Sequence, residues 1–524
     1  MEARTSVRRS GAYAAAVALV LGAPLAAFLT GNHYPVLSAE AGLLLAGCVA
    51  AGVLLQGVAW ALGAAGAALV LAAALALAVD LLSGASFGYA GLAALGAACF
   101  AATWLLGRRA VSVAAVAASA FLASTLLIPG TAADDRAGAP QGEKRALPVV
   151  LHLVLDEHIG LAGLPEDVPE SAGFGRWLTE AYVGEGFRVH AGAYSQYFLT
   201  RHSIANLLNF STSAQPWAHL VEGRSHPHIL TGSAYFRHLS ALGYRLHVYQ
   251  SDYLDYCRIP GIAYASCSTY RANSIGALRD TALGTLERAQ FIFNSLAASS
   301  GYLAALGRVY EKLTGSSWPR PVSRVGPLPV LPVLQRLASD LRSASPGEAY
   351  FAHLLLPHYP YVLDRSCRLR AEIEDWLSNV PPGAGYHDAV LNSAGSRNER
   401  YRRYFEQVRC QQLLLGRLFD AMREANVWHD AIVIIHGDHG SRIVQRNPLA
   451  AYADRLTRQD FNDAFSTLFA IRSPRLKAGV ERERRPLQEL LAEALGLPME
   501  RLPANVYLAG PEGRPLTPRS LAQF

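Results

Sequence analysis

Hydrophobic and polar positions divide the chain near residue 130. From residue 10 to residue 128 apolar positions run almost unbroken. No Lys or Arg lies between Arg9 and Arg108, and Glu40 and Asp80 are the only acids there. Five stretches approach the roughly 20 residues needed to cross about 30 Å of hydrocarbon. They are residues 10–30, 41–61, 63–82, 86–107 and 110–128. The second and third are nearly one run, relieved by Gln56, Trp60 and glycines, so a tight turn is expected at residues 60–66. All five are rich in Ala and Gly, which allow close helix packing.

A polar stretch, "PGTAADDRAGAPQGEKRA", then reads as a linker. Beyond residue 147 the pattern changes. Short apolar runs of strand length occur at 149–155, in "AYFAHLLLPHYPY", in "YRLHVYQSDYL" and at 431–435. Between them lie stretches of helical spacing such as 398–426. Runs buried on both faces and alternating with helices predict an α/β domain with a mostly parallel sheet. The expected organisation is a transmembrane domain of about five helices at 1–130, a linker at 131–146 and a globular α/β domain at 147–524.

Charge orients this arrangement. Arg4, Arg8 and Arg9 precede the first span, and Arg108 and Arg109 separate the fourth from the fifth. With five spans both clusters fall on the cytoplasmic side. The loops at 32–40 and 83–85 carry no Lys or Arg and fall outside. An odd count exports everything after Ile128. The alternative of a cleaved signal peptide lacks a small-residue cleavage site followed by a soluble domain. The expected location is a bacterial inner membrane, multi-pass, with a periplasmic or extracellular catalytic domain. The net charge of +6 is modest for 524 residues. There is no Lys/Arg run and no zinc-finger spacing, so nucleic-acid binding is not expected.

Chemistry concentrates at the ends of the strand-like runs, where ligands bind in parallel sheets. Asp156, His358 and Asp438 all lie at such ends. "IIHGDHGSR" alone could be a polar turn after a strand. Taken with Asp156-Glu157 in "VLDEH", its Asp438-His439 reads as half of a metal site, because converging carboxylates repel unless a cation joins them. Carboxylates with an imidazole suit zinc or manganese better than calcium. Thr200, in "AYSQYFLTRHSIANLLNF", stands at a predicted helix start. A hydroxyl there is ordinarily an N-cap. Helix N-termini also favour phosphate or sulfate, and a metal could activate the hydroxyl as a nucleophile. Ser195 and Ser203 are the next candidates.

These motifs together resemble the alkaline phosphatase/sulfatase superfamily, and within it the membrane-anchored branch of lipid A phosphoethanolamine transferases and lipoteichoic acid synthases. The resemblance covers nearly the whole chain. It rests on "VLDEH", "TRHSIA", "HLLLPHYP" and "GDHG", in that order. It implies an alkaline-phosphatase-like fold. It also implies metal ligation by Asp156, Glu157, Thr200, Asp438 and His439, with Thr200 as nucleophile. His353 and His358 would act at the substrate as catalytic residues, and Arg201 and Arg442 would bind it. The sulfatase motif Cys/Ser-x-Pro-x-Arg is absent, which argues against sulfate-ester hydrolysis of that type. Phosphoethanolamine transferases carry a further His after the Asp-His pair. No His follows Gly440 here, and Arg442 is expected to take part of that role.

The expected function is transfer of a phosphoethanolamine- or phosphoglycerol-like group from a membrane lipid donor to an envelope glycolipid or polymer, by a monomer. A hydrolase of the same superfamily, sulfatase-like or a phosphodiesterase, is the alternative. A degenerate lipid sensor would not need an intact set of acids, Thr and His. Six cysteines complete the picture. Cys48 and Cys99 fall within spans. Cys257, Cys267, Cys367 and Cys410 fall in the exported part, where disulfides persist. Four cysteines allow three pairings. Cys257 with Cys267 across "RIPGIAYAS", and Cys367 with Cys410, is the expected one. The second bridge closes a loop of 42 residues (410 − 367 − 1), for which chain entropy gives about 4 kcal/mol.

Overall fold

The computed structural model describes residues 11–32, 34–83, 87–107, 109–127, 136–137, 147–223, 227–272, 274–280, 283–314, 325–371, 375–381, 384, 388–511 and 513–521. The chain forms two compact units. One comprises Met1–Thr131 with Ser274–Arg324, the other Ala132–Asn273 with Val325–Phe524. The division therefore does not follow a single cut near residue 147. Ser274–Arg324 groups with the N-terminal helices, and the chain passes between the units three times. The expected linker lies outside the described residues except for a two-residue strand, Arg136–Ala137.

The first unit holds helices Ala12–Gly31, Ala39–Ser83, Tyr89–Leu106 and Arg109–Leu127. Among the described residues the first three are long and apolar enough to cross a membrane. Five separate spans are not reached. The expected spans at 41–61 and 63–82 form one 45-residue helix, and the apolar part of the last helix is shorter, Arg109–Thr125. The long helix is broken at Gly63, where φ is 72° and ψ −155°. That backbone region is open to glycine and costly for other residues. A straight helix would hold Glu40 and Asp80 about 60 Å apart at 1.5 Å per residue. Yet Arg288 bonds Glu40 at 2.6 Å and Ser300 bonds Asp80 at 2.7 Å. The helix thus folds back at Gly63 into two antiparallel halves, within the turn region expected from the sequence. The end of Ala12–Gly31 opposite Asn32 lies near this turn. There Tyr13 donates to the Ala67 carbonyl at 2.7 Å, and Gln56 accepts from the Ala14 N–H at 3.0 Å.

The second unit is built on a nine-stranded sheet. Its strands are β1 (Arg136–Ala137), β2 (Val150–Leu155), β3 (Arg188–His190), β4 (Arg245–Ser251), β5 (Ser266–Tyr270), β6 (Glu348–Leu354), β7 (Ile432–Gly437), β8 (Phe469–Arg472) and β9 (Gly479–Glu481). Their order is β1-β5-β4-β6-β2-β7-β8-β3-β9. β5-β4-β6-β2-β7 is a continuous parallel block, and β3-β9 is a further parallel pair. β1, β8 and the β8–β3 pairing are antiparallel. The mostly parallel sheet expected from the apolar runs is present, and every residue of β2 is buried. Register places the ends of the three central strands level. Leu155 pairs with Leu354 on one side and with Gly437 on the other.

Both expected disulfides form. Cys257–Cys267 has a Cα–Cα separation of 6.3 Å and Cys367–Cys410 one of 4.8 Å. Cys48 and Cys99 are free.

Candidate metal centre and active site

Three strand ends supply the site. Asp156 follows β2, His353 stands next to last in β6, and Asp438 follows β7. The ligand atoms of Asp156, His353 and Asp438 lie within 4.8 Å of one another, and all three residues are buried. His353 Nε2 is 3.3 Å from Asp156 Oδ2. His439 Nε2 is 3.1 Å from Asp438 Oδ2 and 3.9 Å from Asp156 Oδ1.

Partners of the outer atoms fix what the inner atoms can do. His439 Nδ1 lies 2.9 Å from the Gly440 carbonyl, which can only accept. Nδ1 therefore carries the proton, and in the neutral ring Nε2 keeps its lone pair. His353 Nδ1 is 3.0 Å from the Tyr256 hydroxyl, and a proton donated there leaves Nε2 equally free. Asp438 Oδ1 accepts from the backbone N–H groups of Glu157 and His439, each at 3.0 Å. What remains turned inward is Asp156 Oδ1, His353 Nε2 and Asp438 Oδ2, none with a hydrogen-bond partner. Buried acceptors facing one another without a donor are costly. Positive charge reconciles them, and this oxygen and nitrogen set fits a divalent cation. Burial alone would raise the Asp156 carboxyl. Imidazolium charge on His358, His353 and His439 would outweigh it and hold Asp156 below the usual carboxylate range, as a bound cation would in their place.

The glycines of "HGDHG" have a steric cause. A Cβ on Gly437 would stand 2.4 Å from Thr467 Oγ1, and one on Gly440 would stand 2.2 Å from the Asp463 carbonyl. The chain passes too close to its neighbours there for any side chain.

Thr200 is the first residue of the helix Thr200–Leu207, and that helix has no side-chain cap. Its hydroxyl is not used as an N-cap. It is buried and lies 3.3 Å from His439 Nε2, at the edge of the acidic cluster. The alternative hydroxyls are engaged elsewhere. Ser203 donates to the Asp438 carbonyl at 2.6 Å, and Ser195 bonds the Tyr197 carbonyl and Ser203. These two serines tie the Thr200 helix to the Asp438 loop.

Glu157 is placed differently from its neighbour. Its backbone is left-handed at φ 67°, which turns successive side chains apart. Its carboxylate pairs with Arg442, whose Nε donates at 2.7 Å, and accepts from the Tyr359 N–H at 3.2 Å. Arg442 also has positive φ, at 55°. Burial would lower the Arg442 guanidinium, but Glu157 reverses this and raises it. His358 stands at the rim, partly exposed. Its Nε2 lies 3.4 Å from Arg442 Nη2 and 3.8 Å from Glu157 Oε1. The structure thus brings Asp156, Asp438, His439, Thr200 and His353 to one point. Glu157, Arg442 and His358 form a second group beside it. Arg201 is engaged by its chain neighbour, donating from Nε to His202 Nε2 at 3.3 Å. Its guanidinium lies over Trp217 and lines a cavity of about 290 Å³ with His202, Tyr253 and Arg514.

Several supporting residues carry no sequence signal at the site. Tyr256 and Tyr270 hold His353, the latter by donating to its carbonyl at 2.9 Å. Arg397 is fully buried and pairs with Asp463 and with Asp167. The Asp463 carbonyl in turn accepts the Arg442 N–H at 2.9 Å.

No family model matches the chain, and no curated protein does. Solved structures of similar outline include the C-terminal periplasmic domain of EcEptC from Escherichia coli in complex with Zn. It is 14% identical with a TM-score of 0.39, over 74% of this chain and 95% of that one. The phosphonate monoester hydrolase of Agrobacterium radiobacter is 12% identical with a TM-score of 0.38, over 68% and 75%. Ps i-CgsB in complex with k-i-k-neocarrahexaose is 13% identical with a TM-score of 0.38, over 68% and 73%. With TM-scores below 0.5 and such low identities, fold and chemistry rest on the strands and side chains above rather than on these likenesses.

Proposed function

We propose that the chain is a membrane-anchored, metal-dependent phosphotransferase of the alkaline phosphatase/sulfatase superfamily. It moves a phosphoethanolamine- or phosphoglycerol-like group from a lipid donor to an envelope glycolipid or polymer. One observation carries this reading: a buried, uncapped Thr200 hydroxyl 3.3 Å from His439 Nε2, beside carboxylate oxygens that have no partner.

Asp156, His353, Asp438 and His439 would hold the metal, with Thr200 beside it. When bound, the metal supplies the positive charge that lets a hydroxyl lose its proton near neutral pH and that offsets charge on a phosphoryl oxygen. Thr200 Oγ1 attacks the phosphorus of the donor phosphodiester in line. The bond to the lipid alcohol breaks, and a phospho-threonine forms. The acceptor alcohol then attacks the same phosphorus and releases Thr200. His358, at the rim, gives a proton to the departing alcohol and takes one from the entering alcohol. Arg442 contacts phosphoryl oxygens, with Glu157 orienting its guanidinium. Arg201 reaches the substrate from the adjoining cavity. Water in place of the acceptor would make the chain a phosphodiesterase or sulfatase-like hydrolase. The long apolar helices favour lipid substrates.

The membrane unit is read as five spans, with the two halves of Ala39–Ser83 counted separately. The catalytic unit then lies outside the cytoplasmic membrane of a bacterium, where its disulfides persist. A reporter fused after Ile128 should be active outside the cytoplasm. Mass spectrometry of envelope lipids from cells with the wild-type chain and with Thr200→Ala tests the function. A phospho-substituted glycolipid or polymer present only with the wild type is expected. Identical envelopes, with a purified chain that only hydrolyses phosphodiesters, would move the assignment to a hydrolase.

A further inference from the structure

Two helices of the first unit, Thr285–Ala297 and Gly301–Thr314, have no part in the site above. They are amphipathic in an unusual sense. Ala289, Phe291 and Ile292 of the first helix are buried. Leu286 and Phe293, seven apart on its other side, are 70% and 56% exposed. In the second helix Leu306, Val309 and Leu313 are 54%, 53% and 80% exposed. Their spacing of three and seven places them in one stripe, with Tyr310 beside them. Arg308 and Lys312 lie along another side.

Among the described residues, several polar anchors of this pair lie at one end of the apolar bundle. Ser274, just before it, donates to the carbonyl of Asn32, the residue after helix Ala12–Gly31, at 3.1 Å. Arg288 bonds Glu40, the second residue of Ala39–Ser83. Ser300 and the Tyr302 N–H both bond Asp80, near the other end of that helix, at 2.7 and 3.1 Å. Tyr302 donates to the Leu92 carbonyl at 2.5 Å, and Arg308 lies 4.8 Å over the ring of Tyr89, the first residue of Tyr89–Leu106. The fold at Gly63 brings these span ends to a common level. Leu82 and Tyr89, at that level on the bundle itself, are also exposed. The stripe therefore continues the apolar outer surface of the bundle at the depth where hydrocarbon gives way to headgroups.

We propose that this helix pair lies in the membrane–water interface of a phospholipid leaflet. Leu286, Phe293, Leu306, Val309 and Leu313 enter the acyl-chain boundary, and Arg308 and Lys312 stand at phosphate level. Glu40 and Asp80 are the sockets that fix the pair to the bundle. They explain why these two acids stand in an otherwise uncharged apolar segment. The proposal rests on the reading that the N-terminal helices cross the bilayer, and it is independent of the reaction catalysed.

The test uses the full chain in phosphatidylcholine/phosphatidylglycerol vesicles. Single variants Leu313→Trp, Ala304→Trp and Leu54→Trp are compared with wild type, whose own Trp signal is subtracted. Leu313→Trp should lose fluorescence to lipids brominated near the headgroup end of the acyl chain more than to lipids brominated near the chain terminus, and little to iodide. Ala304→Trp, on the polar side, should lose it to iodide. Leu54→Trp, within a span, should lose it to deep bromine. Iodide quenching of Leu313→Trp with Leu54→Trp still quenched by deep bromine overturns the interfacial helices and leaves the spans. Leu313→Trp shielded from both quenchers in a dimeric species overturns the proposal in favour of a contact between copies. Absence of deep quenching at Leu54→Trp overturns the membrane reading itself.

Discussion

Two groups of buried carboxylates in the second unit are treated in opposite ways. Asp463 is surrounded by donors. Arg397 pairs with it, Tyr401 donates to it, and Gln459 donates at 3.0 Å. Burial still pushes its carboxyl up to about 6, against the pull of Arg397. Asp156 and Asp438 are as deeply buried, yet each keeps one oxygen without a hydrogen-bond partner, in a cluster with His353. Asp463 is a finished structural contact, whose backbone carbonyl steadies the loop carrying Arg442. The strand-end acids offer unpartnered oxygens that a cation would complete. Burial and charge are shared by both groups, so neither identifies a functional acid. The convergence of several unpartnered acceptors, Asp156 Oδ1, His353 Nε2 and Asp438 Oδ2, is what sets the strand-end acids apart.

The largest effect should come from the hydroxyl beside those unpartnered acceptors. Thr200→Ala should cut turnover at least about a thousand-fold, while Thr200→Ser retains some activity. Circular dichroism and melting should be unchanged. Near-normal turnover in the Ala variant would place the nucleophile elsewhere. Chelation should abolish activity, with zinc or manganese restoring it. It should also lower the melting temperature, since a ligand at a hundred times its Kd stabilises by about 2.7 kcal/mol. A metal-free chain with full activity would erase the distinction between the two groups of acids.

Glu157 sharpens the boundary. Glu157→Gln should leave metal content intact and lower turnover about 10–100-fold by loosening Arg442, as expected for an orienting partner. His353→Ala should lower metal content instead. Metal loss in Glu157→Gln, measured by elemental analysis, would return Glu157 to the ligand role the sequence suggested. Arg397→Met strands Asp463 without its main partner and should cost about 3–5 kcal/mol in stability, read from denaturant melts. The smallest effect concerns pH. A carboxyl whose folded value lies above its unfolded one binds more protons folded than unfolded. Its contribution to stability therefore falls as pH rises from about 4 through about 6. Asp463→Asn should flatten that part of the stability profile relative to wild type. An unchanged slope would mean that Asp463 does not titrate there.

Much of this was legible before any coordinates. The apolar runs at 149–155 and 431–435 became the central strands, and the acids after them reached one point because parallel strands end on one side of a sheet. The cysteine pairs followed from chain spacing and compartment. The geometry beyond first neighbours was hidden. His353 looked like a substrate contact or a core residue, since nothing in "HLLLPHYP" says that β6 lies beside β2 with His353 level with Val154. Glu157 looked equivalent to Asp156 because a reversal of backbone handedness leaves no trace in residue identity. Arg397 and Tyr256 act through contacts with distant parts of the chain. The segment Ser274–Arg324 looked like part of the exported domain because its polar residues resemble any surface helix. The one available signal was Glu40 and Asp80, two acids that an apolar bundle has no reason to carry without partners.

The interleaving of the two units in the chain also bears on synthesis and truncation. β4 and β5 emerge from the ribosome before residues 274–324, and β6 and β7 after them. The parallel block that carries His353 and Asp438 is therefore completed only after a stretch belonging to the other unit has been synthesised. A chain cut to begin at residue 147 would keep all three strands of the site and also an orphaned helix pair, with Arg288 and Ser300 deprived of their acids. It should aggregate, whereas a version that also joins residue 273 to residue 325 through a short Gly/Ser bridge should stay in solution.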